Sequence, residues 1–555
     1  MTEKMNGAES LVHTLIAAGI DTVFANPGTS EMHFVAALDR IPGIRCVLCL
    51  HENVVTGAAD AYWRMTGKPA ATLLHCAPGL ANGLANLHNA MRARSAIVNI
   101  VGDQATYHRP LDAVLTNDTE GWARPVSGFV RTAATAARVG ADAAAAIEAA
   151  RTYPGQIATL ILPADTAWDA GGVVAQAALP APAPHANVHA VEVAARLLRS
   201  GAPTMLLLGG AALMEGPLWL AHDIAQATGA KMLGPVSPAR VARGRGRVPL
   251  MRIPYPIDMA LESLKGIKNL ILVGTTEPVA FFAYPGKPGY LYPEDCTVHV
   301  LARPDEDGPG ALATLAKMLG VAEGCGGPRF RGDDEKGCGV DEKGCGDDEK
   351  KPGDDEKKRG DDEKKRGDDN LPVVATGAIT PEKLAQSLAA LMPEDAIIVD
   401  EAISYGRGFY PYTFNAPKHD WVQLTGGAIG AGLPMATGAA IGAPDRRVIV
   451  LQADGSGMYT VQALWTQARE KLNVTNIILS NRKYAILLHE LANVGANPGP
   501  TALNMLDLSN PDLNWVQLSE GMGVPAAQAA SMDELNALLK ASVERPGPFL
   551  IELLV

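Results

Sequence analysis

The 555-residue chain contains no apolar run of the ~18 residues that a transmembrane helix needs, although hydrophobic residues make up 47% of it. We therefore predict no membrane partner. Its first residues, Met1-Thr2-Glu3-Lys4, are polar, which argues against a signal peptide, so we expect a cytoplasmic protein. A net charge of −12 argues against a nucleic-acid partner, because such proteins usually present an excess of basic residues.

Cysteine is scarce, and its pattern argues against disulfide bonds and against a zinc site. The seven cysteines are an odd number, and Cys46, Cys49 and Cys76 lie in apolar segments that predict core strands, so we expect reduced structural thiols. Cys46 and Cys49 have the spacing of a metal-binding pair, but no second pair accompanies them, and we predict no zinc site.

A dinucleotide-binding fingerprint is also missing. The run Gly209-Gly210-Ala211-Ala212-Leu213 follows an apolar strand pattern, as such a fingerprint would, but it lacks the spacing GxGxxG. No suitable acidic residue ends the next predicted strand. The sequence therefore argues against an NAD-dependent dehydrogenase.

Apolar runs alternate with helical patterns along most of the chain, which predicts α/β domains with parallel sheets. We expect an N-terminal domain at 1–172, a proline-rich linker at 173–187, a middle domain at 188–322 and a C-terminal domain at 371–555. Residues 323–370 repeat Asp-Asp-Glu-Lys four times with almost no apolar side chain, so we predict disorder there. Three cysteines of this insert have irregular spacing and predict no metal site: Cys325, Cys338 and Cys345.

Two apolar runs in the last part of the chain end beside polar residues. Residues 448–451 predict a buried strand followed by Asp454-Gly455-Ser456, and 477–479 predict a strand followed by Asn481. Residues 458–472 predict a connecting helix, and parallel strands joined in this way end at the same edge of a sheet. A carboxylate, an amide oxygen and a backbone carbonyl at that edge suit Mg²⁺ shared with a diphosphate. The alternative interpretation is an ordinary loop and helix cap.

Three polar residues near the N-terminus occupy similar positions. Thr29, Glu52 and His75 each follow or end an apolar run that predicts a strand. A glutamate at a helix start usually caps that helix, and a histidine at a strand end is more often structural than catalytic. These residues therefore become informative only in combination with the metal motif.

In combination, these motifs resemble those of the thiamin diphosphate-dependent family of acetolactate synthase, pyruvate oxidase and benzoylformate decarboxylase. In that family a glutamate of the first domain contacts the pyrimidine of the cofactor, and a Gly-Asp-Gly…Asn-Asn motif of the last domain holds Mg²⁺ and the diphosphate. Glu52 matches the glutamate, and Ala453-Asp454-Gly455-Ser456 with Ser480-Asn481 matches the motif. Ala453 and Ser480 depart from the motif, but both ligand positions are retained. The resemblance covers nearly the whole chain outside the polar insert.

The resemblance implies a fold and a cofactor site. The fold is α/β, with three doubly wound parallel-sheet domains: pyrimidine-binding, middle and diphosphate-binding. Glu52 is expected to hydrogen-bond the pyrimidine ring nitrogen, the Gly427 carbonyl to accept from the exocyclic amine, and Ile429 to form an apolar wedge between the two rings. The expected metal ligands are Asp454, Asn481 and the carbonyl of Lys483, with Gly455, Ser456 and Ser404 beside the diphosphate.

The same resemblance implies the substrate side of the site. His75 matches an active-site histidine of benzoylformate decarboxylase, and Thr29 matches the position of its substrate-binding serine. A second histidine of that enzyme aligns near Ala283, where this chain has none, which favours carboligation over protonation. Three residues after the metal loop are expected to line the substrate pocket: Ile486, Leu487 and Glu490.

We therefore predict a thiamin diphosphate- and Mg²⁺-dependent lyase or transferase that decarboxylates or ligates 2-oxo acids, most similar to an acetolactate synthase large subunit. The alternatives are a benzoylformate decarboxylase-like enzyme and a catalytically degenerate cofactor-binding subunit. Acetolactate synthases commonly carry FAD, but no sequence feature here requires it and we predict none. The expected partners are a small 2-oxo acid and an aldehyde or ketone acceptor. The resemblance also implies a homo-oligomer, a dimer or homotetramer, with each site between two subunits.

Overall fold

A computed structural model describes residues 4–321 and 372–555. The polar insert, for which we predicted disorder, and its cysteines Cys325, Cys338 and Cys345 lie outside the described residues. Across the described ranges, no helix combines the length and the apolar character that crossing a membrane requires.

The first sheet contains only parallel strands. They are β1 (Thr22–Asn26), β2 (Arg45–Leu48), β3 (Ala70–Leu74), β4 (Ile97–Asp103), β5 (Phe129–Thr132) and β6 (Ile157–Pro163). Their order is β2-β1-β3-β4-β6-β5, so the polar residues that follow β1, β2 and β3 share one edge of the sheet. β2 is an edge strand, which explains why Cys46 is exposed although the apolar run predicts a core position.

The second sheet lies in the middle of the chain. Its strands are β7 (Thr204–Leu208), β8 (Lys231–Leu233), β10 (Asn269–Val273) and β11 (Thr297–Ala302), in the order β11-β10-β7-β8 and all parallel. Between β8 and β10 the chain forms β9 (Arg240–Arg243), which leaves this sheet and pairs antiparallel with the third sheet. The middle segment is therefore attached to the last sheet by a shared strand.

The third sheet carries the predicted metal motif. It comprises β9 and six parallel strands: β12 (Ala396–Glu401), β13 (His419–Gln423), β14 (Val448–Ala453), β15 (Val474–Ser480), β16 (Ala526–Ala529) and β17 (Phe549–Leu554). The order is β16-β17-β15-β14-β12-β13-β9. β14 and β15 pair in register from Val448↔Val474 to Ala453↔Leu479, so Asp454 and Asn481 follow the ends of adjacent parallel strands, as the sequence predicted.

Helices connect the strands throughout. In the first two thirds they are α1 (Gly7–Ala17), α2 (Met32–Arg40), α3 (Glu52–Thr66), α4 (Cys76–Ala93), α5 (Thr119–Ala123), α6 (Ala136–Ala150), α7 (Ala164–Trp168), α8 (Val188–Arg199), α9 (Glu215–Thr228), α10 (Ile257–Ser263) and α11 (Gly308–Leu319). In the last third they are α12 (Pro381–Leu391), α13 (Phe409–Tyr412), α14 (Gly432–Gly442), α15 (Asp454–Gly457), α16 (Ala463–Arg469), α17 (Ala485–Asn493), α18 (Pro500–Asn504), α19 (Trp515–Gly521) and α20 (Met532–Glu544).

Two details differ from the sequence prediction. Residues 458–472 do not form one helix, because the chain makes the short helix α15, a 3₁₀ turn at Met458–Thr460 and then α16. Cys76 begins α4 instead of lying in a strand, and its backbone has a φ of 53°, in the left-handed region that residues other than glycine rarely adopt.

Apolar clusters cover both faces of each sheet, which confirms the doubly wound α/β fold. The face of the first sheet that carries α3 and α4 shares one core with the face of the third sheet that carries α14. α3 and α14 approach closely because glycines face the partner helix. A Cβ on Gly438 would lie 1.8 Å from the Ala58 carbonyl oxygen, and one on Gly57 would lie 2.6 Å from the Pro434 Cβ.

Candidate active site

The carboxyl edge of the first sheet brings together three residues that the sequence singled out. Thr29 follows β1 at the start of a 3₁₀ turn and is exposed, Glu52 begins α3 after β2, and His75 caps α4 after β3. Because these three strands are neighbours, the residues after them lie along one edge.

Glu52 is buried, with an exposed fraction of 5%. Its carboxylate accepts a hydrogen bond from the Asn82 amide at 3.1 Å, and a Cβ on Gly79 would lie 2.8 Å from its Oε1. The absence of a side chain at Gly79 therefore makes space for the Glu52 carboxylate beside α4. Helix α3 itself is capped by the His51 ring, which accepts from the Asn53 N–H at 3.0 Å. Glu52 is thus not needed as the cap, which removes the usual structural explanation for a glutamate at this position.

His75 contacts a buried acid that the sequence pattern does not reveal. Its Nδ1 lies 2.9 Å from Oε2 of Glu31, whose side chain is fully buried and also accepts from the Gly28 N–H at 2.7 Å. Burial raises the pKa of Glu31 above its ordinary value, while the His75 ring opposes this shift. Nδ1–H donation to this carboxylate orients the imidazole and leaves Nε2 for proton exchange. In the sequence, Glu31 has only the signature of a helix-cap residue.

Cys76 lies in the same group. Its thiol is 3.2 Å from the Ser30 hydroxyl, and burial raises its pKa to about 11. The thiol therefore stays protonated at neutral pH and is a poor nucleophile.

The carboxyl edge of the third sheet carries the predicted metal ligands. Asp454 is 2% exposed and accepts from the backbone N–H groups of Gly455 at 2.8 Å and Arg482 at 2.7 Å. Burial raises the pKa of Asp454, so a cation bound there would favour its ionised form. The Asn481 side-chain oxygen is half-buried and accepts from the Lys483 N–H at 3.1 Å. Between these two residues, Arg482 has a φ of 56°, a strained value for a non-glycine residue.

These residues fit a Mg²⁺ ion and a diphosphate. Carboxylate and amide oxygens are the ligands that a hard cation prefers. A Cβ on Gly455 would lie 2.6 Å from the Tyr484 ring, so a larger residue beside Asp454 would have to displace that ring. Ser456 is buried, and its hydroxyl donates to the Ala453 carbonyl at 3.1 Å. Ser404, after β12, is half-buried near the same edge.

The segment after β13, predicted to hold the pyrimidine, is fixed from several sides. Gly427 and Gly430 have φ values of 76° and 88°, which glycine adopts without strain. Asn89 of α4 binds both backbone groups of Ala428: its amide donates to the carbonyl at 2.7 Å, and its oxygen accepts from the N–H at 3.2 Å. Asn86 donates to the Gly430 carbonyl at 3.3 Å. Helix α4 of the first sheet therefore holds this backbone, while the Ile429 side chain remains half-buried.

An aromatic group of the middle segment covers this backbone. A Cβ on Gly427 would lie 2.7 Å from the Phe281 ring, which packs against Tyr255 at 5.2 Å and Phe282 at 5.0 Å between ring centroids. The Tyr255 hydroxyl lies 3.3 Å from a carboxylate oxygen of Glu490 on α17. The structure thus brings Glu490 to the aromatic group, which the sequence analysis did not identify.

Helix α17 carries the three predicted pocket residues. Ile486 and Glu490 are half-buried and Leu487 is 43% exposed, and none of the residues of this helix is fully buried. An apolar helix without a covered face is suited to a ligand or to another chain.

Comparison with known proteins identifies the family. Residues 5–122 match the family model "Thiamine pyrophosphate enzyme, N-terminal TPP binding domain", and residues 406–553 match "Thiamine pyrophosphate enzyme, C-terminal TPP binding domain". Thiamine pyrophosphate is the same compound as thiamin diphosphate. The first match includes Thr29, Glu52 and His75, and the second includes Asp454 and Asn481.

Several relatives match along their whole length. The chain is 47% identical over 553 residues to the Mycobacterium tuberculosis protein named "Putative acetolactate synthase large subunit IlvX", covering 99% of both chains. It is 29% identical to benzoylformate decarboxylase of Pseudomonas aeruginosa, covering 96% of both. The structure of a thiamine diphosphate-dependent 4-hydroxybenzoylformate decarboxylase from Rhodococcus jostii RHA1 superposes with a TM-score of 0.79 at 25% identity, covering 99% of both. The chain therefore belongs to the thiamine pyrophosphate-dependent enzymes.

Proposed function

We propose that this enzyme uses thiamin diphosphate and Mg²⁺ to cleave or form the carbon–carbon bond next to the carbonyl of a 2-oxo acid, as an acetolactate synthase-like carboligase. The observation that carries the proposal is the buried Asp454 carboxylate beside the half-buried Asn481 and the close-packed Gly455 at the carboxyl edge of the third sheet. When bound, the cofactor supplies a nucleophilic carbon and accepts the electrons that decarboxylation releases. Asp454, Asn481 and the Lys483 carbonyl would hold the metal ion.

Glu52 holds a proton at the pyrimidine in this proposal. Its buried carboxylate, whose partner is the neutral Asn82 amide, would hydrogen-bond the ring nitrogen. The Gly427 carbonyl and Ile429 would orient the two rings, and the contacts from α4 keep that backbone rigid. Gly455, Ser456 and Ser404 would surround the diphosphate.

His75, oriented by Glu31, exchanges a proton with the substrate, and the Thr29 hydroxyl binds the substrate carboxylate. Phe281 and Phe282 form an apolar wall where benzoylformate decarboxylase is expected to place its second histidine. Neither phenyl ring carries a proton donor, and the two rings can accommodate the side chain of an acceptor aldehyde or ketone. This observation favours carboligation over protonation.

The second candidate is a benzoylformate decarboxylase-like reaction that releases an aldehyde. The identity to the Pseudomonas aeruginosa enzyme and the His75–Glu31 pair favour it. In both cases we propose a homo-oligomer, a dimer or tetramer, in which the Glu52 edge of one subunit faces the metal motif of another. Ile486, Leu487 and Glu490 then line a substrate pocket that the assembled enzyme closes, and FAD is not required.

The test compares wild type with Glu52→Gln on a panel of 2-oxo acids that includes pyruvate and benzoylformate, with and without aldehyde acceptors, by product mass. Loss of the proton-holding carboxylate is expected to lower kcat by about 10²–10⁴-fold. Glu262→Gln, on an exposed glutamate paired with Lys265, is the matched control and should leave the rate unchanged. Equal rates for wild type and Glu52→Gln would contradict the proposal. A 2-hydroxy ketone product supports the first candidate, and an aldehyde supports the second.

A further inference from the structure

Glu401, the last residue of β12, is a buried acid that the proposed reaction does not use. It is 1% exposed, and among the side chains that the structure describes no lysine, arginine or histidine forms an ion pair with it. Its carboxylate accepts instead from the backbone N–H groups of Gly430 and Gly432, both at 2.6 Å, and from the Gln452 amide at 3.1 Å. A buried carboxylate without a cation is costly, so its retention calls for a reason.

The backbone N–H groups that donate to Glu401 lie at the end of residues 426–431, the segment predicted to hold the pyrimidine. Residues 430–432 lead into α14, so the carboxylate sits at the N-terminus of that helix, where free N–H groups and the helix dipole favour an anion. The approach is close, because a Cβ on Gly432 would lie 3.0 Å from Oε2 of Glu401. The Gly430 carbonyl is held in turn by the Thr460 hydroxyl at 2.9 Å.

The Gln452 amide joins Glu401 to the predicted metal motif. The Gln452 amide that donates to Glu401 also donates to the Ser456 hydroxyl at 2.6 Å, and that hydroxyl donates to the Ala453 carbonyl at 3.1 Å. These residues flank Asp454 on both sides. A single carboxylate is therefore bonded to the backbone after Ile429 and, through one amide, to the loop that carries the metal ligand.

We propose that Glu401 is a positioning residue whose ionised carboxylate sets the distance between the pyrimidine-holding segment and the metal motif, and so controls the affinity for thiamin diphosphate. The proposal rests on the proposed cofactor site. Protonation would add an O–H donor opposite N–H donors, and the carboxyl group would then lose one of its three acceptor contacts. Replacement by glutamine has the same consequence, because its NH₂ group would face a backbone N–H.

The surroundings of Glu401 make its ionisation sensitive to pH near neutrality. Burial raises its pKa to about 7, and the N–H groups only partly oppose this shift. Neither the 426–431 segment, nor α14, nor β14 carries a titratable side chain. On β12, Asp400 bonds instead to the Trp421 and Gln423 side chains at 3.2 and 3.1 Å, and Asp454 lies beyond Ser456, bonded to backbone. Asp400 and Asp454 are present in both proteins that are compared, so their contributions to the pH dependence cancel in the ratio of the two dissociation constants.

The experiment measures the dissociation constant of thiamin diphosphate by calorimetry, with Mg²⁺ in excess and no substrate, from pH 6 to pH 8.5. Wild type is compared with Glu401→Gln, and the ratio of the two constants is used because the cofactor's own titration cancels in it. We expect Glu401→Gln to bind at least about tenfold more weakly at pH 8, since a charge-assisted hydrogen bond is lost. The ratio should fall towards one at pH 6, where wild type is protonated as well. Glu401→Asp keeps the charge. The ratio of the dissociation constants of Glu401→Gln and Glu401→Asp should therefore also depend on pH.

A ratio that is constant across pH would overturn the role of Glu401, because a merely structural defect shifts the cofactor affinity equally at every pH. A ratio equal to one at pH 8 would also overturn it, because the substitution would then have no effect on binding. Asp400→Asn, at the neighbouring buried acid, is the control and should change the constant little at any pH. Thermal unfolding midpoints of all variants show that the fold is retained. Failure of wild type to bind the cofactor at any pH would refute the proposed function itself and this inference with it.

Discussion

A buried ion pair on α3 connects the first sheet with the third sheet of the same chain. The Arg64 guanidinium lies 2.6 and 2.8 Å from the two carboxylate oxygens of Asp60, and the side chains are 2% and 1% exposed. The same guanidinium donates to the Gln423 carbonyl at 2.7 Å and to the Ala239 carbonyl at 3.1 Å. Arg64 therefore ties the helix that begins at Glu52 to the end of β13, directly before residues 426–431, which we propose hold the pyrimidine.

Arg64→Met should cost about 3–5 kcal/mol of stability, because it leaves a buried carboxylate without its cation. Asp60 would keep only the Ser95 hydroxyl as a partner, and two backbone carbonyls would lose their donor. The double variant Asp60→Ala/Arg64→Met removes both charges and should recover most of this loss. Cofactor affinity should fall with Arg64→Met as well, since the backbone at 423–425 loses its anchor.

The matched control is Arg124→Met. Arg124 and Glu120 have the same spacing on a helix and the same 2.6 Å contact, but their side chains are 63% and 36% exposed. An exposed pair contributes about 0–1 kcal/mol, so this variant should behave nearly as wild type. The assay is urea unfolding followed by tryptophan fluorescence, with all four proteins in one buffer. If Arg64→Met loses no more stability than Arg124→Met, or if the double variant is no better than the single one, the reasoning is refuted.

Two further predictions concern the metal loop and the pH dependence of stability. Gly455→Ala places a Cβ 2.6 Å from the Tyr484 ring and should weaken Mg²⁺-dependent cofactor binding about tenfold, as measured by calorimetry. The control is Gly521→Ala, where the added Cβ meets open space. Equal cofactor affinities of the two variants would contradict the prediction. Burial lowers the pKa of His419 to about 4 from its ordinary 6.5, so stability should fall as pH drops from 6.5 to 4, by up to about 3 kcal/mol. His419→Gln should lose this part of the acid sensitivity in unfolding midpoints at pH 7 and pH 5, and an unchanged slope would exclude the histidine as its source.

The sequence was sufficient for elements whose pattern is local. Continuous apolar runs predict buried parallel strands, and such strands joined by a helix end at a common edge. The sequence therefore predicts that Asp454 and Asn481 lie close together, and the pairing of β14 with β15 confirms that they follow adjacent strand ends. The same pattern predicts a strand before each of Thr29, Glu52 and His75, but only the observed strand order shows that these three strands are neighbours. The roles of these residues at a cofactor remain proposals.

Contacts between distant segments were not readable in the same way. Glu31 has the sequence signature of a helix cap, and only the pairing of β1 with β3 brings it to His75. Phe281 carries no motif, yet the attachment of the middle segment through β9 places its ring over Gly427. The single helix predicted for 458–472 was wrong, because helix propensity does not report the 3₁₀ turn that the packing of the loop imposes.

By itself, the sequence determined the α/β class, the strands and the edge residues, because apolar periodicity and strand direction are properties of short segments. The tertiary structure decided that Glu401, and not the adjacent Asp400, bonds to Gly430, Gly432 and Gln452, and which glycines leave room for a neighbouring ring. These outcomes depend on strand order and on the fit between helices α3, α4 and α14, where atoms far apart in the chain come within a few ångströms.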